Sequence, residues 1–196
     1  MPVVVLVSGS GSLLQALLDA TADPGYGVRV AAVGADRPCE GLARADRAGV
    51  ATFVCRTADF PSRALWDAGL AAQVRSHRPA LVVSAGFLKL IGPDLLGEHT
   101  VIHTHPALLP SSPGLHGVSE ALAYDVRESG TTAHVVDSGV DTGPIIEQRA
   151  VDVRPEDTEE SLHERIKVEE RRMLVDVVGR IARGWSINGR KVDTGV

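Results

Sequence analysis

Through its first half the chain alternates short apolar runs with stretches of helical spacing. Residues 3–8, 28–33, 51–55 and 81–85 form runs of five or six residues that are mostly apolar, and 100–104, with Val101 and Ile102 at its centre, reads as a fifth strand. A strand with one wet face alternates apolar and polar residues, whereas a strand covered on both faces does not. These runs therefore predict a parallel sheet. Residues 13–21, 41–49 and 61–77 separate them and repeat apolar positions at helical spacing, with Pro61 acceptable in a first turn. Parallel strands need crossover connections, and helical crossovers are right-handed. The expectation is an α/β sheet with helices on both faces.

The second half is organised differently. Residues 106–113 hold three prolines and predict an irregular loop, with Leu109–Pro110 and Ser112–Pro113 as candidate cis bonds. Residues 119–128 read as a helix. Residues 131–136 and 144–153 read as strands on either side of a polar turn at 137–143. Residues 158–183 form a long amphipathic helix with a capping hydroxyl at Thr158. Within 185–192, Asn188-Gly189 signals a two-residue hairpin.

A length of 196 residues suits one domain, read here as 1–196 with a phosphate-binding half at 1–104 and a second half at 105–196. Lys and Arg are scattered and the net charge is −5, so no nucleic-acid partner is expected. No apolar run approaches the ~20 residues of a membrane span. Residues 1–7 read as a strand and not a signal peptide, because no basic segment or cleavage site accompanies them. Cys39 and Cys55 make no disulfide framework and fit a reduced, cytoplasmic protein.

Three segments could carry chemistry. Ser8-Gly9-Ser10-Gly11-Ser12 follows the first strand and opens the first helix. Glycines there let an anion approach the amides of a helix N-terminus. The loop lacks the full dinucleotide fingerprint and the Walker lysine, and a tight strand-to-helix turn is the simpler alternative. His103-Thr104-His105 closes the fifth strand, and residues two apart on a strand share a face. Both imidazoles can look into a crevice at the carboxyl ends of the strands, where open α/β sheets bind ligands. One buried and one exposed structural histidine is one alternative. Metal binding with His116, His134 or Asp141 is another, disfavoured because no cysteine is nearby. The stretch from Asp137 to Pro144 is polar and glycine-containing. It can set the Asp141 carboxylate beside a strand-end imidazole, or be a plain surface turn. Lys167, Glu169, Glu170 and Arg171 read as a solvated helix face.

Several motifs, in order along nearly the whole chain, resemble the folate-dependent formyltransferases, and within them the phosphoribosylglycinamide formyltransferases. They are Val5-Leu6-Val7-Ser8-Gly9-Ser10-Gly11-Ser12, Ser84-Ala85-Gly86-Phe87, His105-Pro106-Ala107-Leu108-Leu109-Pro110, Pro113-Gly114-Leu115-His116-Gly117, Val140-Asp141-Thr142-Gly143-Pro144-Ile145-Ile146 and Leu162-His163-Glu164-Arg165-Ile166. The resemblance implies a Rossmann-like, mostly parallel sheet with an antiparallel C-terminal part. It implies transfer of a formyl group from 10-formyltetrahydrofolate, as co-substrate and without metal, to a primary amine in purine synthesis. His105 and Asp141 match the catalytic positions, with His103 beside them. Gly9, Ser10, Gly11 and Ser12 match a phosphate loop, and Gly86, Pro106 and Glu170 match the amine side. Arg63, Phe87, Leu88, Lys89, Leu90, Ile91, Val136 and Val140 match the folate side. The implied partners are a small amine and a reduced folate, in a monomer or homodimer.

The chain also departs from the pattern. His103 stands where the family has an asparagine whose amide donates to the formyl oxygen. Leu13 replaces a small polar residue after the phosphate loop, Ser112 an aromatic residue, and Lys89 an arginine. The stretch between Pro93 and His103 is slightly short. These changes line the expected site and suggest a divergent paralogue. They leave two further readings open: another amine as acceptor, or a non-catalytic folate- or nucleotide-binding relative.

Overall fold

The computed structural model describes residues 1–114 and 116–193. The chain divides into two compact units, Met1–His103 and Thr104–Val196.

In the first unit, strands β1 (Pro2–Val7), β2 (Arg29–Ala35), β3 (Ala51–Val54), β4 (Leu81–Ser84) and the start of β5 (Val101–His105) lie in the order β3-β2-β1-β4-β5. Every pairing is parallel. Helices α1 (Ser12–Ala20), α2 (Glu40–Arg47), α3 (Arg63–Ser76) and α4 (Pro93–Glu98) connect them. All four residues of β4 and Val3 through Val7 of β1 are buried. Successive residues face opposite ways, so both faces of the central strands are covered, as the unbroken apolar runs predicted.

Helix α3 buries Trp66, Asp67, Leu70, Ala71 and Val74, a stripe at helical spacing. The indole of Trp66 is fully buried, donates to the Cys55 carbonyl at 2.9 Å, and stacks on Phe87 with ring centroids 6.5 Å apart. The helix starts at Arg63 with Ser62 as its cap, so Pro61 lies outside the first turn in which it was expected. Helix α4 was not anticipated from sequence. It forms because the buried Asp67 carboxylate accepts from Gly92 N–H at 2.9 Å and Asp94 N–H at 3.0 Å, capping α4 from a neighbouring helix.

The second unit holds the last two residues of β5, then α5 (Gly117–Ala123), β6 (Glu128–Val135), β7 (Ile145–Asp152), α6 (Glu159–Arg183) and the hairpin β8 (Ser186–Asn188)–β9 (Lys191–Asp193). Strands β6 and β7 are antiparallel, with an irregularity between Ala133 and His134. Helix α6 begins with a reciprocal capping box between Thr158 and Ser161. Its Leu162 and Ile166 pack against Val118 and Ala121 of α5. The expected helix at 119–128 is shorter, ending at Ala123, because Asp125 turns the chain with φ 50° and Glu128 already belongs to β6. The hairpin pairs Asn188 with Lys191, so its two turn residues are Gly189 and Arg190, one place later than expected. A parallel α/β first unit followed by an antiparallel C-terminal part is the Rossmann-like, mostly parallel architecture expected above.

Candidate active site

The loop between β1 and α1 turns at Gly11, the N-cap of α1, with φ 70°. A Cβ at Gly11 would meet the Cα of Gly41 at 2.6 Å, so two backbones touch here. A glycine cap brings no side-chain oxygen to the first-turn amides, which leaves them suited to an external anion. Gly9 and Ser10 are exposed, and the Ser10 carbonyl accepts from Arg44 Nε at 2.8 Å. Leu13 is 8% exposed and belongs to the core, so it contributes packing where the resemblance implied a small polar residue.

The segment after β4 is tied to the same loop. Ser8 N–H donates to the Gly86 carbonyl at 3.1 Å, and Leu88 N–H donates to Ser8 Oγ at 2.8 Å. Phe87 is buried on Trp66, while Leu88 and Leu90 are exposed. Arg63 sits 4.6 Å over the Trp66 ring and donates to the Leu90 carbonyl. Lys89 Nζ reaches back to Asp36 at 3.8 Å. Asp36 is buried at the end of β2. Burial raises its carboxyl, but Arg37, Ser8 and Lys89 together hold it below the usual range. Arg63 and residues 86–91 are thus brought together. Asp36, which anchors Lys89, went unnoticed in the sequence, where an acid directly after an apolar strand was its only signal.

His103 donates from Nδ1 toward Ser84, with the carbonyl oxygen and Oγ each 3.0 Å away.

In the second unit, His105 is 3% exposed and its Nδ1 lies 3.5 Å from Asp141 Oδ2. Its Nε2 lies 2.8 Å from the Ser112 carbonyl, which can only accept. Both ring nitrogens therefore face acceptors, an arrangement complementary to the imidazolium form. Asp141 is held from three sides. Gly114 N–H donates to Oδ2 at 2.8 Å, and His134 Nε2 lies 3.4 Å from Oδ1 on the side away from His105. Asp141 has φ 54°, a left-handed conformation that aspartate tolerates better than most residues. The turn that carries it is fixed by Asp137, whose Oδ1 accepts from Gly139 N–H at 3.0 Å and Thr142 Oγ1 at 2.6 Å. His134 was weighed in the sequence only as a metal ligand. Its place in a buried strand gave no sign of a contact with Asp141.

The proline-rich loop owes its shape to side chains of β6 and β7. The Thr132 hydroxyl donates to the Ala107 carbonyl at 2.7 Å and accepts from Leu109 N–H at 3.0 Å. Gln148 Nε2 donates to the Leu109 carbonyl at 2.8 Å and to Thr132 Oγ1 at 3.0 Å. Thr131 Oγ1 donates to the His105 carbonyl at 3.1 Å. These bonds replace the ladder an irregular loop cannot form. Leu109–Pro110 is cis and Ser112–Pro113 is not. Leu115 lies outside the described residues. The loop, α5 and the start of β6 wall a cavity of about 430 Å³ that neither His105 nor Asp141 lines.

Glu170 is buried on α6, not on a solvated face as its polar neighbours suggested. Burial pushes its carboxyl up to about 7, against the smaller opposing pull of Thr104, Lys167 and Arg171. The Thr104 hydroxyl lies near enough to favour the charged form but outside ordinary hydrogen-bond geometry. Pro106 and Val136 are half-buried, and Val140 is exposed.

A doubly wound α/β unit with a glycine turn at its first helix, followed along the chain by a buried imidazole–carboxylate pair, has the equipment of an enzyme: amides suited to an anion and an acid–base pair. The model of the formyl transferase family matches residues 1–178, and the chain belongs to that family. It is 51% identical to phosphoribosylglycinamide formyltransferase of Mycobacterium tuberculosis, over 98% of this chain and 90% of that protein. It is 35% identical to the enzyme of that name from Escherichia coli, over 94% of this chain and 88% of that one. The crystal structure of glycinamide ribonucleotide transformylase 1 from Symbiobacterium toebii superposes with a TM-score of 0.95 at 41% identity, covering 98% of this chain and 93% of that one. The chain is a formyltransferase.

Proposed function

We propose that the protein transfers the formyl group of 10-formyltetrahydrofolate to the amine of phosphoribosylglycinamide in cytoplasmic purine synthesis, acting as one formyltransferase domain. The observation that carries this reading is the buried His105–Asp141 pair, 3.5 Å apart. In this reading the neutral amine attacks the formyl carbon and a tetrahedral oxyanion forms. His105, charged against Asp141, donates to that oxyanion, and Asp141 helps a water carry the amine proton to the leaving nitrogen. The Gly9–Ser12 loop binds the acceptor's phosphate through backbone amides, and Gly86, Pro106 and Glu170 meet its amine side. Residues 87–91 with Arg63, Val136 and Val140 take the folate.

The test is direct. Protein mixed with 10-formyltetrahydrofolate and glycinamide ribonucleotide should release tetrahydrofolate in step with formylated product. If neither this acceptor nor a broad panel of primary amines discharges the folate, the reading is wrong. A second reading, another amine as acceptor, is favoured by one observation. Leu13, where the family pattern calls for a small polar residue, is given over to the core. Discharge by a phosphate-free amine faster than by glycinamide ribonucleotide would select it.

A further inference from the structure

The hairpin β8–β9 lies past residue 178, where the match to the formyl transferase family model ends. Its two turn residues are Gly189, with φ 60°, and Arg190. Strand β9 lies against β7, the strand that follows the turn bearing Asp141. From the hairpin tip the Arg190 side chain crosses to that turn. Its Nη2 donates to the Thr142 carbonyl at 3.0 Å and to the Gly143 carbonyl at 3.4 Å. Thr142 directly follows Asp141 in the chain.

An irregular turn has no ladder to take up its carbonyls, so side chains must do it. The bonds that Asp137 makes to Gly139 N–H and Thr142 Oγ1 are internal to the turn. Arg190 ties the outgoing leg to a separate element 47 residues further on. The tie matters because Asp141 holds φ 54°, a conformation that persists only where the surroundings over-determine it. A guanidinium suits the task. It is always charged, carries five N–H groups, and makes charge-assisted bonds to the carbonyls it meets.

We propose that Arg190 is a positioning residue for Asp141: the hairpin tip straps the outgoing leg of the turn and keeps the carboxylate against His105. The proposal rests on the formyl-transfer reading above, in which that carboxylate helps to move the amine proton. Arg190 acts through the backbone of residues 142 and 143 and not on the reacting atoms.

Variants of the full chain test it, with thermal melts beside each. With 10-formyltetrahydrofolate and glycinamide ribonucleotide, Arg190→Ala should lose roughly 10-fold in kcat. The KM for glycinamide ribonucleotide and the melting temperature should change little. Arg190→Lys should recover part of the loss, because one ammonium nitrogen can donate to both carbonyls. In an Asp141→Asn background, Arg190→Ala should cost no further activity, since the carboxylate it positions is already gone. The full loss repeated in that background overturns the proposal, and so does an Arg190→Ala enzyme with wild-type kcat. A wild-type enzyme that formylates no amine overturns the formyl-transfer reading instead. The strap is then still read by nitrogen-15 NMR of the His105 ring, assigned by loss of its signals in His105→Asn. Those signals should move in Arg190→Ala, and signals that stay in place overturn the strap.

Discussion

His105 and Asp141 face each other at 3.5 Å although one ends a strand and the other rides a turn 36 residues later. The pair is assembled from both sides: the Ser112 carbonyl orients the ring, and Gly114 and His134 orient the carboxylate. Asp141→Asn keeps the shape and removes the charge. It should lower kcat by about 100-fold or more with little change in KM, read by steady-state kinetics. Asp141→Gly should be equally inactive; glycine adopts φ 54° without strain, so any stability lost reads the missing acceptor for Gly114 N–H. Thermal melts beside the kinetics separate the two effects.

Thr132→Val is nearly isosteric but leaves Leu109 N–H and the Ala107 carbonyl without their buried partner. The expected cost is about 1–3 kcal/mol by urea unfolding. The loop that supplies Ser112 to His105 loosens with it, so kcat should fall more than KM rises.

Glu170 gives a pH signature. Its carboxyl is ordinarily near 4.3 in an unfolded chain and is pushed up to about 7 here. The folded state therefore holds the proton more tightly, and stability falls as pH rises through that window. Glu170→Gln has no such proton to lose. Relative to wild type it should gain roughly 3 kcal/mol between about pH 4 and about pH 8, seen in urea midpoints. A constant difference across that range would refute the assignment.

Asp157 behaves in the opposite sense. Arg165 at 2.5 Å, with Arg154 N–H and Ser161 Oγ, holds its carboxyl far below the usual range. The stabilisation is present above the unfolded value of about 3.9 and is lost as pH falls through the folded one. Asp157→Asn should therefore melt earlier than wild type at neutral pH, with the gap closing in acid below about pH 4.

The strands of the first unit were legible because burial on both faces leaves a run with no polar interruption, as in Val3 through Val7. The cap on α6 was legible because a hydroxyl three residues before another is a local signal. What escaped notice depends on distant partners. Helix α4 exists because Asp67 caps it from 25 residues away. His134 meets Asp141 only because β6 and the turn after it bring them together. The polar run around Glu170 looked wet because helical spacing does not say which side is covered. His105 and Asp141 were picked out by motif, and only coordinates could show that Ser112 and Gly114 hold them.

Gly11 and Gly41 share one contact too close for any side chain on Gly11. Residue 11 is therefore not free to vary while the backbone of residue 41 stays where it is. A lineage that added a methyl at residue 11 would have to pull two helices apart and carry its anion loop with them. A saturation library should return glycine at residue 11, and at residue 41 should admit a side chain only where Val7 yields, 2.9 Å from a Cβ there.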